Sequence, residues 1–226
     1  YNTNYVLDNF KEFKRLEQQA LQRHYSIDEE LKYLDFSGQK KICDAGCGSG
    51  VLSRYLAKKY KKHDLTACDF SEIRINQAKQ FDLDNIHSVK YIQSDLISLP
   101  FQDETFDIVI SRFVFEYLED PIKVTKELKR VLKKGGQLYL IDLDGVFLNF
   151  WTSNYRFNSL LKQLERGLNF DLFVGRKLSS FLNESSLRNI QCKISVHDFV
   201  SSQDINEEMV NNLQRIHGAR SLFTQI

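Results

Sequence analysis

The stretch Ile42-Cys43-Asp44-Ala45-Gly46-Cys47-Gly48-Ser49-Gly50 decides how the rest of the chain is read. A short apolar run ends in an acid, and three of the chain's ten glycines follow within five residues. A plain turn out of a strand needs one glycine. Three mean a backbone that bends sharply and lets a ligand approach the main chain. Two nucleotide-binding patterns fail here. The dinucleotide fingerprint needs a glycine where Val51 stands, and a phosphate-cradling loop ends in Gly-Lys-Ser/Thr, yet no lysine occurs between Lys41 and Lys58. A carboxylate at the mouth of this loop repels phosphate and suits a ligand carrying an ammonium group.

Outward from the loop, short apolar runs alternate with helical stretches. The runs 41–44, 65–68, 89–93, 107–111, 137–142 and 190–196 read as strands. The stretches 51–60, 72–80, 121–133 and 178–183 read as helices. Ser71 and Asp120 stand at N-cap positions, Pro121 sits in a first turn, and Lys133-Lys134-Gly135-Gly136 closes a helix. Ser26 with Glu29 reads as a capping box opening a further short helix. This alternation predicts an α/β fold: a Rossmann-like, doubly wound, mostly parallel sheet with helices on both faces. Ligands of such sheets bind beyond the carboxyl ends of the strands. There the second strand ends in Asp69, followed by Phe70, and the third in Ser94-Asp95-Leu96. An acid after the second strand is placed to accept hydrogen bonds from ribose hydroxyls, and Phe70 to lie on a purine. Asp95 can accept from an exocyclic amine. Asp44, Asp69 and Asp95 on one rim predict a ligand with an ammonium, a ribose and an aminopurine.

With these motifs the sequence resembles the class I S-adenosylmethionine-dependent methyltransferases. Residues 42–50 resemble that family's first motif, 99–109 the segment leading into its fourth strand, and 128–136 the helix and turn before its fifth. The resemblance covers roughly residues 40–142 and implies S-adenosylmethionine as cofactor. It implies that the backbone of Gly46, Cys47 and Gly48, with Asp44 nearby, holds the methionine part. Asp69 takes the ribose, Phe70 contacts adenine, and Ser94, Asp95 and Leu96 read its edge. Ser111, Arg112 and Phe113 line the methionine end. Cys47 is read as small and packed, not as a nucleophile. Many relatives carry a histidine after the fourth strand. Tyr117 stands there, so Tyr117 and His197 are the two candidates for a catalytic group. Asp142 and Asp144 could face the same way, but no matching ligand follows the fourth strand, so no metal is expected. The family's antiparallel seventh strand is not legible after Val196.

Residues 1–35 are expected to form an N-terminal helical cap, because Val6, Leu7, Phe10, Phe13, Leu16, Ala20 and Leu21 recur at helical spacing. The methyltransferase domain is expected over 36–226. It includes an aromatic-rich, helical insert at 145–175 after the fifth strand and a C-terminal helix at 204–218. Trp151 and Tyr155 in the insert are candidate acceptor contacts. The insert suits a lid over the acceptor and equally a homodimer surface or extra core. The chain's 226 residues fit one sizeable domain, and 42% hydrophobic with 27% charged residues excludes a disordered or fibrous chain. Lysine and arginine number 31 against 30 acids, which argues against nucleic acid as the main partner. The basic clusters 58–62 and 129–134 fall at helix ends away from the cofactor rim. No run approaches the ~18 apolar residues of a membrane span. Four cysteines without metal-ligand spacing fit reduced thiols and a cytoplasmic protein. The start at Tyr1 reads as trimmed. The expected activity is methyl transfer to nitrogen or oxygen of a small-molecule acceptor. An RNA or protein methyltransferase and a non-catalytic binding module are the competing readings.

Overall fold

The computed structural model describes residues 26–83, 89–145 and 170–194, with isolated positions 153, 155, 159 and 162 between them. Five strands, β1 (Lys41–Ala45), β2 (Asp64–Asp69), β3 (Val89–Gln93), β4 (Phe106–Arg112) and β5 (Leu132–Ile141), form one sheet. The order is β3-β2-β1-β4-β5, and every pairing is parallel. The helices are α1 (Ile27–Leu31), α2 (Val51–Lys59), α3 (Glu72–Leu83), α4 (Pro121–Val131) and α5 (Leu178–Glu184). Single 3-10 turns lie at Phe115–Tyr117 and Gly175–Lys177.

Side chains alternate across the sheet and cover both faces. Ile42, Leu65, Ile108 and Ile110 pack with Ile27 and Leu31 of α1 and Leu52 and Leu56 of α2. Cys43, Ala45, Cys68 and Val109 pack with Val124, Leu128 and Val131 of α4. The last three recur at i, i+4 and i+7, the spacing of one helix face. A third cluster joins Ala67 and Tyr91 to Ile75 and Ala78 of α3 and to Cys47. The chain walks outward from β1 to β3, then returns to lay β4 on the other side of β1. Their carboxyl ends therefore diverge at a topological switch point, where a crevice opens.

Most predicted boundaries hold. Asp120 Oδ1 accepts from Lys123 N at 2.9 Å with Pro121 in the first turn. Ser71 Oγ accepts from Arg74 N at 3.3 Å. Three expectations need correction. The Ser26–Glu29 capping box does not form: Ser26 makes no side-chain cap bond, and Glu29 pairs with Lys32 at 2.8 Å. The five-residue α1 is held by docking instead, through buried Ile27 and Leu31 and through Asp28, which accepts from Tyr55 and Lys59. The helix expected to Lys133 ends at Val131. Leu132 already pairs with Phe106, and a bulge over 133–136 precedes the ladder of Gln137 against Ile108. The strand expected over 190–196 is absent from its described part. Residues 190–194 are irregular and Ile194 is 86% exposed. Strand composition is a weak preference that tertiary context overrides; here Lys193 reaches over the Tyr33 ring.

The helices expected within 1–21 and at 204–218, with His197 and Trp151, lie outside the described residues. In the insert, Tyr155, Ser159 and Lys162 are helical. The stem of the insert is closed at the rim. Gly145 N donates to Leu172 O at 2.7 Å, Gly175 N to Leu143 O at 3.1 Å, and Asp171 N to Glu116 O at 2.7 Å. Arg176 forks onto both oxygens of Asp144 at 3.0–3.1 Å.

Candidate active site

The glycine loop is tied to β2 by its own backbone. Gly46 N and Cys47 N both donate to Cys68 O, at 2.8 and 2.9 Å, and Gly48 N donates to Asp69 Oδ2 at 2.8 Å. Gly46 and Gly48 are left-handed, with φ of +81° and +54°, which favours glycine over any residue with a Cβ. Their surroundings differ. A Cβ on Gly46 would lie 2.4 Å from Val114 Cγ2, whereas one on Gly48 would meet nothing within 4 Å. Gly46 is glycine because protein crowds it. Gly48 faces open space, as a backbone that receives a ligand must.

Each predicted acid has a definite job at the rim. Asp44 is 4% exposed, and its Oδ2 accepts from Ser53 Oγ of α2 at 2.5 Å. Burial pushes its carboxyl up to about 6, opposed by the Ser53 bond and the nearby Arg112 guanidinium. Asp69 holds Gly48 N with one oxygen and Ser71 N with the other, at 2.9 Å. The Phe70 ring is 48% exposed beside it. Asp95 Oδ1 accepts from Ile97 N at 3.0 Å, closing an Asx turn that fixes the segment after β3. Ser94 N donates to Asp69 O at 2.9 Å, so the ends of β2 and β3 are joined. Leu96 is buried and offers only its backbone to the rim. Cys47 is buried, and burial raises its thiol well above the ordinary range, with Asp44 and Asp69 adding to the rise. That fits packing and not nucleophilic chemistry.

Across the switch point, Arg112 ends β4 and Phe113 follows with φ +58°. The guanidinium carbon lies 4.2 Å from the Phe113 ring centroid. Ser111 departs from its expected role. It is fully buried, and its hydroxyl donates to Ala45 O at 2.9 Å, so it ties β4 to β1 and does not line the crevice. Tyr117 is half-buried, with its ring 5.5 Å from that of Phe170. Tyr155 is 81% exposed among the described residues. Asp142 and Asp144 part company. Asp142 accepts from Phe115 N, Glu116 N and Leu143 N at 2.8, 3.3 and 2.8 Å, while Asp144 takes Arg176. Burial, with Glu116 nearby, pushes Asp142 up to about 8. Among the described residues no group of three metal-ligating side chains comes together. A cavity of about 310 Å³ lined by Lys40, Asp107, Lys133 and Gln137 lies at the amino ends of the strands, away from this rim.

Three contributors carried no local sequence signal: Ser53, Glu30, which grips Arg112, and Val114, which fills the space behind Gly46. Each acts on a residue distant in the chain or through packing. The basic cluster 129–134, with Lys59 of the other, is engaged in holding the fold. Arg130 binds Glu127, Asp103 and the carbonyls of Leu99 and Phe101, and Lys133 binds Asp107. Lys129 caps the carbonyls of Ser185 and Ser186, and Lys59 holds Asp28.

The open Gly48, the buried acid behind it, the acid after β2 and the exposed ring next to that acid fit S-adenosylmethionine. Residues 43–140 match the model of a methyltransferase domain family. A demethylmenaquinone methyltransferase of Listeria monocytogenes is 32% identical over 117 residues, covering 50% of this chain and 49% of that protein. A ubiquinone biosynthesis O-methyltransferase of Haemophilus ducreyi is 28% identical over 160 residues, covering 68% and 66%. The chain spans about half the length of the demethylmenaquinone methyltransferases it matches. Among solved structures, a Bacillus halodurans protein provisionally assigned as a methyltransferase aligns with a TM-score of 0.58 at 25% identity, over 71% of this chain and 68% of that one. A S-adenosylmethionine-dependent methyltransferase from Aquifex aeolicus shares the fold, with a TM-score of 0.63 at 22% identity over 79% and 88%. Residues 43–140 are thus similar in sequence to the methyltransferase domain family, and the fold of the described residues is that of S-adenosylmethionine-dependent methyltransferases.

Proposed function

We propose that the protein transfers a methyl group from S-adenosylmethionine to a heteroatom of a small-molecule acceptor. The observation that carries this is the open space over Gly48, flanked by Asp44 and Asp69, at the switch point of the sheet. Oxygen is the favoured acceptor atom. The Haemophilus ducreyi relative and a tocopherol O-methyltransferase of Arabidopsis thaliana, 30% identical over 123 residues, are both named for it. Ring-bearing phenols are therefore the first acceptor class to try. The basic cluster 129–134, engaged with carboxylates and carbonyls, favours a small molecule over RNA.

The cofactor brings an activated methyl group with its own leaving group, so the protein's task is binding and orientation. Asp44 supplies negative charge for the ammonium from a dry position, and its Ser53 bond keeps the carboxylate aimed along the loop. Asp69 keeps acceptor capacity for ribose hydroxyls while holding Gly48 N, since each carboxylate oxygen takes more than one hydrogen bond. The Phe70 ring offers a face to adenine, and the Asp95 turn presents the segment that reads its edge. The Arg112–Phe113 lip closes the methionine end. Holding an acceptor in line is worth up to ~7–11 kcal/mol without any acid or base. The stem at Asp144–Arg176 roots the aromatic insert beside this end, and we assign the insert to acceptor binding.

The test is calorimetric titration with S-adenosylhomocysteine, followed by acceptor screening for its release from S-adenosylmethionine. Micromolar binding that Asp69→Ala weakens at least tenfold, with turnover of phenols above amines, is the expected result. Binding insensitive to Asp69→Ala would refute the assignment of the site.

A further inference from the structure

The lip of the crevice at the end of β4 is held from the far end of the chain. Arg112 donates from Nε to Glu30 Oε2 at 2.6 Å and from Nη2 to Glu30 Oε1 at 3.0 Å, across 82 residues of sequence. The two side chains are 11% and 16% exposed, so this is not a screened surface pair. Glu30 is itself fixed. Its carbonyl accepts from the Tyr139 hydroxyl of β5 at 2.5 Å, and α1 is anchored again where Asp28 meets Tyr55 and Lys59. Beyond Arg112 the chain turns through Phe113 in a left-handed conformation. Such a residue persists only where its surroundings over-determine it. Here Phe113 N donates to Ile141 O at 2.8 Å, and the guanidinium covers the ring.

We propose that Glu30 is a positioning residue for the cofactor crevice: its two-pronged bond to Arg112 fixes the Arg112–Phe113 lip and balances the guanidinium charge beside Asp44. The inference rests on the methyltransferase reading above. A planar guanidinium matched by both oxygens of a carboxylate has one orientation, whereas an unmatched one swings. The groups that face Asp44 come from every side. They are Ser53 of α2, Arg112 of β4, Asp69 of β2, the thiols of Cys43 and Cys47, and the Tyr91 phenol of β3. Arg112 is the cation in that set, and Glu30 sets how strongly it is felt. Without the Glu30 charge, Arg112 acts more strongly on Asp44, which then stays ionised to lower pH, while the lip loosens.

The experiment is titration of the full chain with S-adenosylhomocysteine between pH 5 and 8, for the wild type, Glu30→Gln, Arg112→Gln and the double variant. Glu30→Gln should weaken binding on the order of tenfold at neutral pH and move the acid midpoint of binding downward. Arg112→Gln should move that midpoint upward, and the double variant should lose less than the sum of the singles. Wild-type affinity and an unmoved midpoint in Glu30→Gln would overturn the proposal, as would a fall in melting temperature alone. Should Glu30→Gln not fold, Arg112→Gln decides, because an unmoved midpoint there removes the linkage. A wild-type chain that takes up no S-adenosylhomocysteine sinks the methyltransferase reading separately. In that case the Asp44 carboxyl titration, followed by carbon NMR without cofactor, still tests Glu30: a lower midpoint in Glu30→Gln supports the linkage and an identical one rejects it.

Discussion

Gly46→Ala and Gly48→Ala form a matched pair whose outcomes should separate folding from binding. Both positions are left-handed, so alanine at either costs roughly 1–2 kcal/mol of backbone strain. At Gly46 a second cost arises. The new methyl would lie 2.4 Å from Val114 Cγ2 and 3.0 Å from Cγ1, well inside the ~3.5–4.0 Å of an ordinary carbon contact. Val114 is β-branched and stiff, and it sits directly before the turn at Phe115–Tyr117, so it cannot swing clear. Overpacking of this kind adds about 1–3 kcal/mol. Gly46→Ala should therefore lose ~2–5 kcal/mol, and Gly48→Ala only the strain. At ~2–4 °C per kcal/mol for a chain of this size, the melting temperatures should separate visibly in a thermal scan. Affinity should run the other way relative to stability. The methyl of Gly48→Ala projects into the space assigned to the cofactor and should weaken S-adenosylhomocysteine binding by about tenfold or more, ~1.4 kcal/mol, in a protein that is still well folded. Gly48→Ala that binds within twofold of wild type would show that the ligand does not pass there. Equal stability of the two variants would show that the contact with Val114 is not real.

Leu128→Ala empties a fully buried position on α4 and should cost ~2–5 kcal/mol, read as a lower urea midpoint with an unchanged slope. Asp44 carries its proton to about pH 6 when folded against 3.8 for the free side chain, so the folded chain binds more protons in that window. Its contribution to stability is full below pH 3.8 and is lost as the pH rises through about 6; Asp44→Asn should flatten that part of the melting-temperature profile. Asp142, raised to about 8, should leave a further decline at higher pH that Asp44→Asn does not touch. His63 behaves oppositely. Burial, then Lys62 and Lys40, hold it below its ordinary 6.5, and its neutral Nδ1 accepts from Lys40 N at 3.2 Å. That contribution is present above pH 6.5 and is lost as the pH falls below it. His63→Asn, which keeps an acceptor, should remove the acid-side loss in the same scan.

What was legible in the sequence was local or periodic. The glycine loop, the acids at the ends of β1 and β2 and after β3, and the caps at Ser71 and Asp120 each depend on neighbours within a few residues. What was not legible depends on the third dimension. Ser111 lies on the predicted rim, but its side chain points into the sheet toward Ala45 O; position along a strand does not say which partner a hydroxyl will find. The run at 190–194 has strand composition and no ladder, because composition does not dock a segment against a sheet edge. Ser26 and Glu29 had the spacing of a capping box, yet in so short a helix the docking of Ile27 and Leu31 outweighs a cap bond. The link between Glu30 and Arg112 spans 82 residues and has no motif at either end.

The three rim aspartates are unlike one another, and the difference explains how one loop is both rigid and receptive. Asp44 is dry and turned toward Ser53, so it acts on a ligand through its charge. Asp69 is half-buried and braces two backbone N–H groups, so it shapes the loop with the oxygens that would also take hydroxyl donors. Asp95 braces its own turn and presents the chain after β3. On the proposed function, a carboxylate lost from Asp69 or Asp95 would thus remove a recognition group and a strut together. The loop's other struts are main chain and packing: Cys68 O takes Gly46 N and Cys47 N, and Val114 lies behind Gly46. The glycines stand where protein must come close, at Gly46, and where it must stay away, at Gly48.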